Sequence, residues 1–297
     1  MPPENVPVST PALAPVKLGK FKASKMIVRE SWATLKQDKE IMLFPVVSSI
    51  STVIASVLLC AFIFFVTLGG STEGLRANPG QYNDIFVYGT ILIYYIVMFF
   101  IINFFQAGLF IIVQARFSGQ NLSFNDGMKG AMKYSGKILY WSLISATVGM
   151  ILRIISDKSK FVGKIVAAVF GAAWNILTYF SLPAIVIGNF SVKDSFKESA
   201  SIIRKTWGES IIVNFGTGIF FSLIVFLLIA LSVGIIVLIP KFIVVVSVGI
   251  FLALSLIAIS ILSSTLGSIF KLAIYNYART GQVPQGFTEV LVKGAIK

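Results

Sequence analysis

Six long runs of apolar residues constrain the fold of this chain more than any other feature of its sequence. They cover residues 41–68, 85–114, 138–155, 162–188, 210–239 and 242–270. A helix needs about 17–25 apolar residues to cross a hydrocarbon core of about 30 Å, whereas a helix of a soluble protein carries only one apolar stripe. Hydrophobic residues make up 56% of the chain and charged residues only 12%. We therefore predict a polytopic membrane protein with six spans.

The spans are predicted to form an all-α, six-transmembrane-helix bundle. Lipid offers the backbone no hydrogen-bond partners, so continuous apolar runs of this length cross it as helices. The fifth and sixth runs are separated only by Pro240 and Lys241. Because the proline ring clashes with the preceding helical turn, we expect a tight hairpin at this position.

Lysine and arginine residues are distributed unequally between the two sides of the predicted bundle. Most of the 25 lie in the N-terminal region, the second and fourth loops and the C-terminal region, which all fall on one side. Loops that are rich in these residues stay in the cytoplasm. We therefore expect a multi-pass protein of the cell (plasma) membrane with both termini cytoplasmic, although the outer loop at residues 156–160 is also basic.

Three regions are predicted along the chain. Residues 1–22 are rich in proline and are expected to form a disordered cytoplasmic tail. Residues 23–275 form the six-span transmembrane domain, and residues 276–297 form a cytoplasmic C-terminal amphipathic segment. The predicted order of one interfacial helix followed by two spans occurs three times along the chain. An internal repeat and a chance recurrence are the two alternative explanations.

The polar stretch between the fourth and fifth runs is predicted to be a cytoplasmic interfacial amphipathic helix. Ser191 and Asp194 have the spacing of a capping box, which marks a helix N-terminus. Apolar residues then recur every three or four positions, which places them on one helix face. Trp207 ends this face, and a tryptophan is favoured at headgroup depth. The face consists of Val192, Phe196, Ala200, Ile203 and Trp207.

Similar helices are predicted in the N-terminal region, with Trp32 on the apolar face, and after a second capping box at Ser123 and Asp126. Trp32, Phe196 and Trp207 are the predicted interfacial anchors. Basic helices beside spans bind membrane surfaces, so we expect anionic lipids of the cytoplasmic leaflet as partners and no nucleic acid. A specific site for a membrane-protein partner or a second copy of the chain remains the alternative.

Two stretches resemble an uncharacterised prokaryotic family of six-span integral membrane proteins. They are SWATLKQDKEIMLFPVVSSI at residues 31–50 and LPAIVIGNFSVKDSFKESASIIRKTWGE at residues 182–209. In the first, a Trp-containing helix leads into a Pro-bearing first span. In the second, a Pro-bearing fourth span leads to a Trp-Gly-Glu entry into the fifth. The resemblance covers residues 24 to 275 and implies this architecture, but no activity, cofactor or site.

The composition argues against an enzyme. The chain has one cysteine and no histidine, which excludes a disulfide framework, a Cys/His metal cluster and a nucleophile paired with histidine. All 12 acidic residues fall outside the predicted spans, whereas proton relays in membranes use carboxylates or histidines within them. Glycine-rich phosphate loops are also absent. We therefore expect no catalytic residue, no metal site and no cofactor.

Amide side chains define a candidate interior polar face. Asn103, Gln106 and Gln114 lie on one face of the second span, and Asn175 and Asn214 are the candidate partners on other spans. Amides in lipid are stabilised by hydrogen bonds between helices, and small residues allow close helix approach. Helix packing is one interpretation of this face, and the lining of a wet path is the other.

Arg153 and Lys271 are candidate cationic positions. Each ends a face of small residues, in the third and the sixth span respectively. A long cationic side chain near a helix end commonly extends to the interface. If the two residues instead face the bundle axis, they favour anions over cations.

The sequence therefore predicts a non-enzymatic membrane protein, and the polar stripes favour a transport or permeation pathway. The alternative function is a membrane-embedded assembly, scaffold or lipid-organising factor, which the repeated basic interfacial helices favour. A continuous polar cavity supports the first function, and a dry, packed core supports the second. The sequence identifies neither a cargo nor an oligomeric state.

Overall fold

A computed structural model describes residues 20–68, 84–158, 161–207, 216–288 and 291. These residues form α-helices, one 3-10 helix (Lys39–Met42) and turns, with no strand among them. The α-helices are α1 (Lys20–Gln37), α2 (Leu43–Leu68), α3 (Asp84–Phe117), α4 (Phe124–Lys133), α5 (Ser135–Lys158), α6 (Phe161–Leu177), α7 (Ser181–Val186), α8 (Val192–Trp207), α9 (Gly216–Leu238) and α10 (Phe242–Thr280).

The predicted all-α class is confirmed. Six helical segments among the described residues are long and apolar enough to cross a membrane, which is the architecture of a multi-pass membrane protein. They lie in α2, α3, α5, α6 together with α7, α9 and α10. The long helices pack as the pairs α2–α3, α5–α6 and α9–α10, and a short helix (α1, α4 or α8) precedes each pair.

The fourth predicted span, 162–188, is not one continuous helix. It breaks at residues 178–180 and resumes as α7, which contains Pro183. Proline lacks an N–H, and its ring displaces the carbonyl four residues earlier, here that of Tyr179. The N–H of Phe180 belongs to the same peptide group as this carbonyl, and it donates to the Ser199 hydroxyl of α8 at 3.0 Å. The backbone at the break is therefore hydrogen-bonded to α8.

Two helices cross the predicted region boundaries. Helix α1 begins at Lys20, inside the predicted tail of residues 1–22, and residues 1–19 lie outside the described part of the chain. Helix α10 continues past residue 275 and ends at Thr280, and the next residue, Gly281, has a φ of 72°, the left-handed conformation that glycine adopts at helix ends. The predicted C-terminal segment, 276–297, therefore begins within a helix.

The hydrophobic core lies at one end of the bundle, which we call the packed end. Phe44, Phe110, Ile138, Phe180 and Tyr275 are fully buried there. The opposite halves of α2, α9 and α10 expose large apolar side chains, as surfaces in contact with hydrocarbon do. The start of α1 and the end of α10 both lie near this core. The segment after α10 also contacts α1.

A glycine brings α3 and α4 into close contact at the packed end. A Cβ atom added at Gly127 of α4 would lie 2.7 Å from the Phe44 ring and 3.0 Å from the Gly108 carbonyl oxygen of α3. Only a residue without a side chain allows this approach. The helix before the second pair of spans is therefore fixed directly on the core.

Candidate functional site

The amides of α3 make hydrogen bonds to two other long helices. Asn103 is buried, and its amide donates to the hydroxyl of Ser142 on α5 at 3.2 Å. Gln106 donates to Ser268 on α10 at 3.3 Å. In lipid such bonds replace those that water would make. One face of α3 therefore bridges α5 and α10.

Gln114 extends this face toward the packed end. Its side-chain oxygen accepts a hydrogen bond of 2.7 Å from the amide of Asn276 on α10. Asn276 is not among the residues that the sequence singled out. The two remaining amides of the predicted face lie elsewhere: Asn175 is exposed on α6, and Asn214 lies outside the described residues.

One cavity lies beside this polar face, and a second cavity adjoins the first at Ser264. The smaller one measures about 60 Å³ and lies between α2, α3 and α10. Its polar lining comprises Ser48, Gln106, Ser264 and Ser268. The larger is an open cleft of about 570 Å³ between α9 and α10, whose polar lining comprises Ser222, Ser260, Ser263 and Ser264. Ser264 borders both cavities.

The two candidate cations have different surroundings. Arg153 is exposed at the end of α5, where it donates to the Tyr95 hydroxyl at 3.0 Å and pairs with Asp157 at 3.5 Å. Lys271 is half-buried on α10, and its Nζ lies 4.3 Å from the centre of the Tyr179 ring, as in a cation–π contact. Among the described residues, no carboxylate forms an ion pair with Lys271.

The apolar face of α8 is packed against protein. Phe196 contacts the rings of Trp141 and Trp174, with centroid distances of 5.1 and 5.6 Å. Val192 and Ile203 on the same face are buried. The side chain of Trp207 lies outside those described. Within the described part of α8, only the polar face is therefore free for contact with other molecules.

Trp32 lies in a different environment from Phe196. It is 38% exposed on α1, and the ammonium of Lys36 lies 5.9 Å from its ring centre. The other face of α1, which carries Ile27 and Leu35, is buried in the core.

Carboxylates at the packed end bind partners within the protein. Asp38 pairs with Arg116 at 3.0 Å. Glu40 accepts the N–H of Phe124 at the start of α4. Glu30 accepts both the N–H and the hydroxyl of Thr288 in the segment after α10. Each of these carboxylates joins segments that are distant in the sequence, which the sequence patterns did not reveal.

Two further carboxylates cap helices, as their spacing predicts. Asp126 forms the capping box of α4 with Ser123. At the start of α8, the Ser191 hydroxyl accepts the N–H of Asp194 and donates to the Asp194 carboxylate. The hydrogen bond from the Ser123 hydroxyl lowers the pKa of Asp126, and that from the Ser191 hydroxyl lowers the pKa of Asp194. Both carboxylates therefore stay ionised while they are bound locally.

Most cations at the packed end remain exposed. Seven of them lie on the short helices that precede the spans and have no carboxylate within ion-pair distance among the described residues. The surface of the packed end is therefore positively charged. These exposed cations are Lys25, Arg29 and Lys36 of α1, Lys129 and Lys133 of α4, and Lys193 and Arg204 of α8.

Comparison with known proteins places the chain in an uncharacterised family. No curated protein matches it. The sequence profile of a family of unknown function, DUF6159, matches residues 85–286, which extend from α3 to the segment after α10. This stretch includes the amide bridges of α3, the break before α7 and the capped helices α4 and α8. The chain belongs to this family of unknown function.

Proposed function

We propose that this protein is a non-enzymatic, lipid-organising factor of the plasma membrane. Its packed end faces the cytoplasm and binds anionic headgroups of the inner leaflet. This is the second of the functions that the sequence favours, and the surroundings of the interior amides and the surface charges of the packed end support it better than the first.

One observation carries the proposal: the two signs of charge at the packed end have different surroundings. The carboxylates of Glu30, Asp38 and Glu40 bind other groups of the protein itself, whereas lysines and arginines of α1, α4 and α8 are exposed without such a partner carboxylate among the described residues. Each cation near an anionic leaflet contributes about 1 kcal/mol to binding. The attraction falls off within a Debye length of about 8 Å at physiological salt, so only cations close to the leaflet contribute.

The interior amides favour helix packing over the lining of a wet path. Asn103, Gln106 and Gln114 each have a hydrogen-bond partner on a neighbouring helix. An amide that is engaged in this way stabilises helix association, which is the common use of polar residues in membrane bundles. The amide face accordingly acts as a structural element that holds α3 to α5 and α10.

Lipid enrichment around the full-length protein tests the proposal. The protein is reconstituted in vesicles of phosphatidylcholine and phosphatidylglycerol, and energy transfer from its tryptophans to trace labelled lipids of each class is compared. We expect more transfer to the anionic probe than to the neutral one, with the excess decreasing as salt is added. Equal transfer to both probes at low salt would overturn the proposal.

Sidedness is tested separately. Single cysteines replace Ser118, in the turn after α3, or Lys241, in the turn between α9 and α10, in a Cys60→Ala background; both positions are exposed. An impermeant thiol reagent should label Lys241→Cys from outside intact cells and Ser118→Cys only after lysis. The reverse pattern would place the packed end outside and contradict the cytoplasmic assignment.

A transport or permeation function is the second candidate, and the two cavities that share Ser264 favour it. Gln106 lines the smaller cavity, and serine hydroxyls line the larger. Liposome flux of ions and small anions tests this function, with Gln106→Leu compared with Asn103→Leu, which lies outside both cavity linings. Flux that only Gln106→Leu abolishes, at unchanged thermal stability, would establish transport and displace the lipid-organising function.

A further inference from the structure

We propose that the exposed face of α1 is the principal binding site for anionic phospholipid headgroups. This face, the α1 basic face, consists of Lys25, Arg29, Trp32 and Lys36. The inference rests on the proposed lipid-organising function and identifies the surface that performs it. It assigns the main membrane contact to α1 rather than to α8, although α8 has the more regular amphipathic pattern.

Helical spacing places these four residues on one side of α1. They follow one another at intervals of four, three and four residues, close to the helical repeat of 3.6. All four side chains are exposed. The opposite side carries Ile27, Ser31, Thr34 and Leu35, which are all buried. Packing of this buried side on the core fixes the direction of the α1 basic face.

Within the described part of the chain, no free carboxylate lies beside the α1 basic face. Glu30 is the one acidic residue within α1, and its two oxygens bind the N–H and the hydroxyl of Thr288 at 3.1 and 2.8 Å. Asp38, just after α1, pairs with Arg116. The field in front of the face is therefore that of its three cations, which complements a layer of phosphates.

Trp32 indicates a lipid surface as the source of these phosphates. A tryptophan that has an apolar ring and one N–H donor is favoured at the membrane interface. The first apolar segment that could cross a membrane begins at Lys39, three residues after Lys36. The end of α1 is therefore held close to the headgroup layer. A soluble acidic protein would not require the face to lie at this depth.

Helix α8 is less suited to this role than α1. Its apolar residues Val192, Phe196 and Ile203 pack against protein. Two of its exposed charges, Asp194 and Lys197, pair with each other at 3.7 Å. The described surface of α8 therefore combines both signs of charge and lacks an exposed tryptophan, whereas the α1 basic face has one sign of charge and Trp32.

Charge removal on the two helices tests the inference with matched variants. One variant of the full-length protein carries Lys25→Gln, Arg29→Gln and Lys36→Gln. The control carries Lys193→Gln, Lys197→Gln and Arg204→Gln, which remove the same charge from exposed positions of α8. A thermal unfolding scan in detergent verifies that both variants are folded.

Two readouts are measured in vesicles of phosphatidylcholine and phosphatidylglycerol. The first is the anionic excess in energy transfer described above. The second is quenching of Trp32 by brominated phosphatidylglycerol and brominated phosphatidylcholine, taken as the difference from a Trp32→Phe protein. Because each cation contributes about fivefold to binding, we expect the α1 variant to lose at least about tenfold in relative affinity for the anionic lipid. The α8 variant should keep most of it.

Each outcome decides one of the two proposals. If the wild-type protein shows an anionic excess that the α8 variant loses and the α1 variant keeps, the α1 site is refuted and the lipid-organising function remains. An equal loss in both variants also refutes a principal site on α1. If the wild-type protein shows no excess, the proposed function itself fails. Displacement of the brominated anionic lipid from Trp32 by soluble polyglutamate at low molar ratio would identify an acidic protein as the occupant and overturn the inference.

Discussion

Replacement of Asp38 by alanine is the perturbation for which the structure allows the clearest energetic prediction. Asp38 lies between α1 and α2, and its Oδ2 is 3.0 Å from Nη2 of Arg116 near the end of α3. Its Oδ1 accepts the N–H of Glu40 and so caps the 3-10 helix. The side chains of Asp38 and Arg116 are only 5% and 17% exposed. One carboxylate therefore holds the first span to the second.

The magnitude follows from the burial of this pair. Removal of one partner from a buried ion pair costs about 3–5 kcal/mol, because the other charge loses its partner in a poorly solvated site. Arg116 keeps a hydrogen bond to Asn121 and some contact with solvent, so we expect the lower end of this range. Loss of the cap adds about 1 kcal/mol. Asp38→Ala should therefore lower the free energy of unfolding by about 4 kcal/mol.

An exposed pair in the same protein provides the control. Arg153 and Asp157 lie 3.5 Å apart on α5, and their side chains are 51% and 56% exposed. Such pairs contribute under about 1 kcal/mol, so Asp157→Ala should have little effect. Unfolding by dodecyl sulfate in mixed micelles, followed by circular dichroism, gives the free energy of unfolding for both variants.

A double variant separates the ion pair from other effects of the substitution. Asp38→Ala with Arg116→Met leaves no unpaired charge, so it should be more stable than Asp38→Ala alone. The reasoning is refuted if Asp38→Ala costs no more than Asp157→Ala, or if the double variant is no more stable than the single one. In either case the pair would be too well solvated to hold α3 to the start of α2.

Two further predictions concern α4 and its neighbour α5. Gly127→Ala should lower the free energy of unfolding by about 1–3 kcal/mol, since the new Cβ would overlap neighbouring backbone and ring atoms; Gly136→Ala, with open space around it, should not, and chemical unfolding distinguishes them. Because the pKa of Asp126 is lowered in the folded protein, its contribution to stability is complete above about pH 4 and lost as pH falls through the lowered pKa. Ser123→Ala should raise this pKa toward its ordinary value, measurable by carbon-13 NMR titration.

The number and order of the long apolar helices could be predicted from the sequence because they depend on local composition. A run such as 242–270 is apolar on all sides, and no tertiary contact is needed to interpret it. Its helix α10 nevertheless extends to Thr280, since lysine and tyrosine residues can continue a helix beyond the hydrocarbon. The break before α7 was missed because the hydropathy pattern continues through it, although Pro183 was visible in the sequence.

The partners of the polar residues could not be predicted, because they depend on which helices become neighbours. Gln114 and Asn276 are separated by 162 positions, and helical spacing places each on a face without identifying the facing helix. Asn175 was grouped with the α3 amides by residue type alone, and it is exposed on α6. Periodicity therefore places three amides on one face of α3, but it cannot identify the partner of any of their hydrogen bonds.

The same limit explains why α8 was predicted to contact lipid through its apolar face. The hydrophobic period shows which face of a helix avoids water, and it does so equally for a face covered by lipid and for one covered by protein. Trp141 and Trp174 cover the face at Phe196, and both come from other segments of the chain. On α1 the opposite holds, since Trp32 lies among exposed cations while the buried side is partly polar. Membrane contact is therefore better inferred from the apolar and basic groups that remain exposed after packing than from the amphipathic pattern.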